Sequence, residues 1–284
     1  SVRSFGAEHT RPFVHAVRWV GLGTVVGVLA GLSSAVFLVS LDWATDTRRD
    51  QPWVLWLLPL AGFVVGLVYW AVGGTTARGN NLVIDEIHEP TAWLPRRMAP
   101  LVFVATIVTN LFGGSAGREG TALQMSASLS DGVFRRIIPV AAPDRRVLLI
   151  AAISGGFGAV FGVPVAGAVF GLEVHSRGRI RHDAIVPAMT ASFVGDRVVY
   201  ALGVPHLPVP VFDTVDLDLL LLLKVVVAAV AFAWTADVFI VATHAVRDVL
   251  AKFVAWPPFR PLIGGSVVVA MTMAIGTRDY LGLS

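Results

Sequence analysis

The chain has 284 residues, 55% hydrophobic and 14% charged, with a formal net charge of +3 and no cysteine. Soluble globular chains carry about 25% charged residues, so a fully water-exposed surface is excluded, and the mean hydropathy of +0.74 points to an integral membrane protein. The missing cysteines exclude disulfides, thiolate metal sites and cysteine nucleophiles, while the small positive surplus reflects membrane topology rather than nucleic-acid binding.

A helix needs about 20 apolar residues to cross a hydrocarbon core about 30 Å thick, whereas barrel strands alternate over about 10. The apolar runs here have helical lengths, and the expected fold class is all-α, a polytopic membrane protein. In chain order they are Val14 to Leu41, Trp53 to Val72, Pro100 to Phe112, Thr121 to Ala142, Val147 to Val174, Ala184 to Leu202, Leu217 to His244 and Pro261 to Ile275. No charged segment, short apolar stretch and cleavage site open the chain, so the first run is expected to stay as a helix. Other runs are broken, at Gly113 to Gly120 and at Gly162-Val163-Pro164. Irregular backbone is not tolerated against lipid, so such breaks are expected to line a cavity or be buried by protein. Most glycines, Gly21, Gly23, Gly155, Gly156 and Gly158 among them, are expected to let helices approach closely.

Lys and Arg mark the cytoplasmic side. Arg177, Arg179 and Arg181 crowd one connection and Arg247, Lys252 and Arg260 another, while Gly203 to Asp218 carries Asp213, Asp216 and Asp218 without a cation. The N-terminus, with Arg3 and Arg11, and the connections near 176–183 and 246–260 are therefore expected inside, and the loop near 204–216 outside.

The sharpest chemical signal is Glu119 within Gly113-Gly114-Ser115-Ala116-Gly117-Arg118-Glu119-Gly120-Thr121. An acid at membrane depth marks an ion path or proton relay. Its place at a glycine-flanked helix start puts unpaired N–H groups and the positive end of the dipole beside it, a seat for an anion. Arg118, one residue away on the helix, points to another face and is expected to meet a loop or an acid. Asn80 and Asn81 are natural helix caps. Asp85, Glu86, His88 and Glu89 read as a solvated helix end or a polar contact between helices rather than a metal site, since adjacent helical residues diverge. Gly113 to Gly117 also satisfies Gly-x-Ser-x-Gly, with His182-Asp183 downstream, so a membrane serine hydrolase is an alternative; the helical run before it lacks the strand that a nucleophile elbow requires.

Gly117-Arg118-Glu119-Gly120-Thr121 resembles the Gly-Arg-Glu-Gly signature of the CLC anion channels and transporters. Phe161-Gly162-Val163-Pro164-Val165-Ala166-Gly167 resembles that family's Phe-x-x-Pro-x-Ala-Gly helix about forty residues downstream. Where ordinary members carry Gly-Ser-Gly-Ile-Pro, this chain has Gly79-Asn80-Asn81-Leu82-Val83, which resembles the fluoride-exporting branch, as does Thr121 in place of the usual Pro.

The resemblance runs from about Ala16 to the end. It implies a broken-helix transporter of inverted repeats, a single transmembrane domain with a first repeat over about 14–203 and the start of a second over about 216–284, and hence a fragment truncated at both ends. It implies a fluoride/proton antiporter, not an enzyme, that exports fluoride from a bacterial cytoplasm across the inner membrane as a homodimer in lipid. No cofactor or metal is implied. Glu119 would be the proton-coupling gate, and Asn80, Gly117, Arg118, Gly120 and Thr121 the anion contacts. A chloride channel or chloride/proton exchanger is the alternative within the family, and a half-pathway inactive by itself is a third possibility. The internal proton-carrying glutamate of the chloride exchangers would fall on Val174; Glu173, one residue earlier, is expected to be a solvated acid beside His175 and Arg177.

Overall fold

The structure, a computed structural model, describes the backbone of residues 2–174, 181–204, 206 and 218–282, and side chains from residue 14 onward. The expectations for His175, Arg177, Arg179, Asp213 and Asp216 lie outside these described residues, as do the side chains of Arg3 and Arg11. Regular structure within them is helical throughout: α1 Val2–Asp50, α2 Leu58–Val68, α3 Asn80–His88, α4 Met98–Leu111, α5 Arg118–Arg136, α6 Ala142–Phe161, α7 Pro164–Val174, α8 Ile185–Ala201, α9 Leu219–Phe253 and α10 Phe259–Ile275. Three described stretches are long and apolar enough to cross a membrane, Val14–Asp50, Pro52–His88 and Leu219–Phe253. The protein is an all-helical, multi-pass membrane protein.

α6 is the centre. Residues from Val147 to Ser154 are buried on every side, as expected of a helix apolar all round, and α1, α5, α7 and α8 pack against it. Close approach depends on glycine. Along α1, Gly23, Gly27 and Gly31 recur every fourth residue, and a Cβ added to them would lie 3.0, 2.7 and 2.6 Å from atoms of Pro187, Ala191 and Val198 on or entering α8. Between helices in lipid there is little hydrophobic drive, so this backbone-to-backbone packing does the holding.

The two expected breaks are real, and a third region is more irregular than expected. The run Val147 to Val174 divides at Gly162, which ends α6 in the left-handed conformation (φ 69°) before Pro164 opens α7. The run Trp53 to Val72 is not one α-helix. It starts as a 3₁₀ turn at Pro52–Leu57, becomes α2, widens to a π turn at Tyr69–Gly73 and tightens to 3₁₀ at Gly74–Arg78. Pro52 and Pro59 remove donors at its start, and Gly74, at φ 53°, ends the regular ladder.

α9 differs from all of this. Its 35 residues include none that is buried. α10 returns against α2, where Gly265 would set a Cβ 2.9 Å from the backbone of Pro59, and Gly62 one 2.8 Å from the Pro261 carbonyl.

Candidate functional site: two facing helix starts

The start of α5 is held by α4. After Leu111 the chain turns through Gly113 (φ 91°), whose N–H donates to the Asn110 carbonyl at 3.1 Å, and Gly114, whose N–H donates to Thr109 at 2.8 Å. Asn110 is 1% exposed, and its Nδ2 donates to the carbonyls of Thr106 at 2.9 Å and Ala116 at 3.1 Å. Thr106 and Thr121 share a hydrogen bond of 2.7 Å between hydroxyls. Gly117 then stands extended as N-cap (φ −64°, ψ 145°), and the N–H groups of the first turn have no carbonyl a turn earlier to bind.

The start of α3 faces it. Gly79, at φ 59° and ψ −135°, adopts backbone that costs a side-chain-bearing residue strain, and it aims the helix so that Asn80 lies against Gly120. A Cβ on Gly120 would meet Asn80 Nδ2 at 2.9 Å, and one on Gly79 would lie 3.6 Å from Gln124 Nε2. Asn80 Oδ1 is buried with no hydrogen-bond partner. The capping expectation for the asparagines is corrected here: Gly79 is the N-cap, no side chain caps the helix, and Asn81 is exposed on the second position. The glycine's left-handed backbone already turns the chain, which frees Asn80 to point at α5.

Glu119 is exposed, and its carboxylate folds back over Gly117, where a Cβ would collide with Oε2. The two glycines of the signature thus have separate jobs. Gly117 makes room for the Glu119 carboxylate and Gly120 makes room for Asn80. The Arg118 side chain turns away to lie 4.8 Å from the ring centroid of Phe161, which packs at a tilt against Phe157, itself stacked on Phe170. It meets a ring at the end of α6 instead of an acid, and so joins the first motif to the second. Thr121 is buried, its hydroxyl taken by Thr106 and, at 3.4 Å, the Gly117 carbonyl; as the fourth residue past the N-cap its N–H is the first to pair within the helix, so it braces the helix start and presents no free donor to the site.

Other candidates separate from the site. Glu173 is exposed near the end of α7. Ser115 lies in a turn between two helices, so the strand–turn–helix setting of a nucleophile elbow is lacking. Asp85 pairs with Arg78 on the surface. Of the two expectations for this segment, Glu86 meets the polar contact between helices and not the solvated end: it is 3% exposed and bound to Arg145 of α6 at 3.0 Å. Asn110, Gln124 and Arg145 were not singled out by sequence. The available signal for Asn110 and Gln124 was their polarity inside apolar runs; Arg145 sits in the charged segment Asp144-Arg145-Arg146 between two runs and carried none.

Short helices whose starts point at one another inside a multi-pass bundle define a broken-helix membrane transporter fold. The chain belongs to the voltage gated chloride channel family, whose sequence pattern matches residues 69–283. A chloride/fluoride channel protein of Pseudomonas syringae pv. tomato is 44% identical over 267 residues, 94% of this chain and 59% of that protein. The crystal structure of a CLC-type fluoride/proton antiporter superposes with a TM-score of 0.88 at 27% identity, over 94% of this chain and 67% of that one. A slow cyanobacterial Cl⁻/H⁺ antiporter shares the fold, with a TM-score of 0.71 at 16% identity, over 91% of this chain and 63% of that one. The chain spans less than two thirds of the Pseudomonas protein's length.

Proposed function

We propose that this chain carries the halide seat and gate of a fluoride/proton antiporter that expels fluoride from a bacterial cytoplasm. The observation that supports it most is the meeting of Asn80 with the Glu119–Gly120 turn, where the donor Asn80 Nδ2 would lie 2.9 Å from a Cβ on Gly120. The unpaired backbone N–H groups of Gly117, Arg118, Glu119 and Gly120 offer fractional positive charge without a fixed cation, so an anion binds and still leaves. Ionised Glu119 is an anion on the same helix start and competes for that seat; protonated, it loses the attraction and swings out. Protonation admits a halide and deprotonation restores the carboxylate, which moves the two ions in opposite directions.

Asn80 sets the preference. Fluoride holds its water tightly and is a strong acceptor, so stripping that water requires close donors in return, and an amide NH₂ supplies two. Hydrogen fluoride enters cells as a neutral acid and dissociates inside, which calls for an outward path driven by protons. The Pseudomonas relative's name includes fluoride and the better-matched antiporter structure carries it in its description. The same relative's name also includes chloride, which keeps a chloride channel or exchanger as the second reading. The protein would lie in the inner membrane as a homodimer, with residues of about 14–203 as one repeat and about 216–284 opening another.

Fluoride and chloride efflux from proteoliposomes, with and without a proton gradient, tests this. The expected result is proton-coupled fluoride efflux that stops or uncouples in Glu119→Gln and persists in Ser115→Ala. Chloride efflux equal to or above fluoride would overturn the fluoride assignment, and loss of activity in Ser115→Ala with Glu119→Gln spared would restore the hydrolase.

A further inference from the structure

The halide seat uses the first residues of α3 and α5, and the far parts of those two helices meet at one side chain. Arg145, in the first turn of α6, is 5% exposed. Its Nε and Nη2 donate to the two carboxylate oxygens of Asp131 on α5 at 2.6 and 2.9 Å, and Nη1 donates to Glu86 Oε2 on α3 at 3.0 Å. Nη2 also reaches the Ala92 carbonyl at 2.9 Å, and the guanidinium lies 4.8 Å from the Trp93 ring centroid. Two carboxylates share one cation, and neutral donors meet the surplus negative charge. Thr91 Oγ1 and the Ala92 N–H donate to Glu86, and the Leu94 N–H donates to Asp131 at 2.7 Å. Asp131 is 2% exposed. Buried sets of this kind are costly when any member loses its partner, so they hold their geometry tightly.

Asn80 stands less than two turns from Glu86, and Gly120 about three turns from Asp131. α3 has only 9 residues and no side-chain cap, and a helix of that length does not sustain itself. We propose that Arg145 is a positioning residue for the halide seat: by binding Glu86 of α3 and Asp131 of α5 at once, it sets the spacing and rotation of Asn80 against Gly120. This rests on the reading of Asn80 and Glu119 as a halide seat. Arg145 touches neither residue and acts through the two helices. The fork geometry matters as well as the charge, since a lysine ammonium cannot engage both carboxylates and the Ala92 carbonyl in fixed directions.

The test is initial efflux rate against halide concentration in proteoliposomes of the wild type, Arg145→Lys, Glu86→Gln and Val199→Ala. Val199 is fully buried on α8, which packs on α1, α6 and α7. Its truncation serves as a purely structural control. Arg145→Lys and Glu86→Gln are expected to raise the half-saturating fluoride concentration and lower the fluoride-over-chloride ratio, each roughly tenfold or more. The maximal rate per folded protein stays near wild type. Val199→Ala is expected to lower the melting temperature and leave both quantities unchanged. The proposal is overturned if Arg145→Lys and Glu86→Gln lower melting temperature or yield while half-saturation and ion ratio keep wild-type values. Should Arg145→Lys fail to fold, Glu86→Gln, which preserves shape and removes only the charge, decides alone. If the wild type carries chloride and no fluoride, the fluoride reading falls, and half-saturation for chloride in the same variants still reads the role of Arg145.

Discussion

α6 and α9 are both long helices rich in apolar residues, yet one is enclosed along its middle and the other has no buried residue. Apolarity does not account for this, since the helix apolar enough to cross a membrane is the one left uncovered and lipid is as apolar as a leucine side chain. Glycine content does. α6 carries Gly155, Gly156 and Gly158 where α1, α5 and α8 press closest, whereas α9 has no glycine and presents Leu, Val, Phe and Trp. In this protein small residues mark the faces that meet protein, and the site is built where those faces are densest.

The comparison is broken most readily at its polar extreme. Arg145→Ala leaves Asp131 and Glu86 buried without their cation and is expected to cost about 3–5 kcal/mol; a chemical or thermal unfolding series in detergent reads it. Next, Leu149→Ala in α6 removes a side chain that is 1% exposed and leaves a cavity, for about 2 kcal/mol or more, while Leu222→Ala in α9 is expected to change stability by less than about 0.5 kcal/mol. Equal losses at the two positions would show that α9 is packed after all. Enlargement sharpens the same contrast. Gly27→Leu must displace Val194 and the Ala191 carbonyl, which would sit 2.7 Å from a new Cβ. Its expected cost is about 1–3 kcal/mol, measured as lost yield of monodisperse protein, whereas Ala229→Leu in α9 is expected to be silent.

The smallest effect lies outside the membrane segments. Arg181 beside Asp183 holds that carboxyl below the usual carboxylate range by hydrogen bonding. A depressed carboxylate adds stability above its unfolded pKa and loses it as pH falls through the folded value. The pair is largely solvated, so Asp183→Asn is expected to shift melting temperature barely at all at neutral pH.

Much of this was readable from residues. The starts of α5 and α7 were marked by Gly117 and by Gly162 with Pro164, because glycine and proline act through local backbone geometry that sequence exposes directly. Glu119 stood out because an acid in an apolar setting is costly wherever it points. What sequence hid depends on partners far along the chain. An asparagine at a helix start reads as a cap unless the residue before it takes the turn, as Gly79 does, and the partner that decides between solvent and an interhelix contact for Glu86 lies 59 positions away at Arg145. The run Trp53 to Val72 read as one helix because its hydropathy is continuous while its hydrogen bonding is not. The every-fourth-residue glycines of α1 were in plain view, and their meaning required the α8 surface they match.

The central claim is that the Glu119 carboxylate and a halide compete for one seat at the start of α5. Calorimetric titration of fluoride into the purified protein, wild type against Glu119→Gln, tests it most directly. Competition predicts tighter fluoride binding in Glu119→Gln, with the wild type approaching that affinity as pH falls. Unchanged or weaker binding in the variant, or wild-type affinity independent of pH, would contradict it.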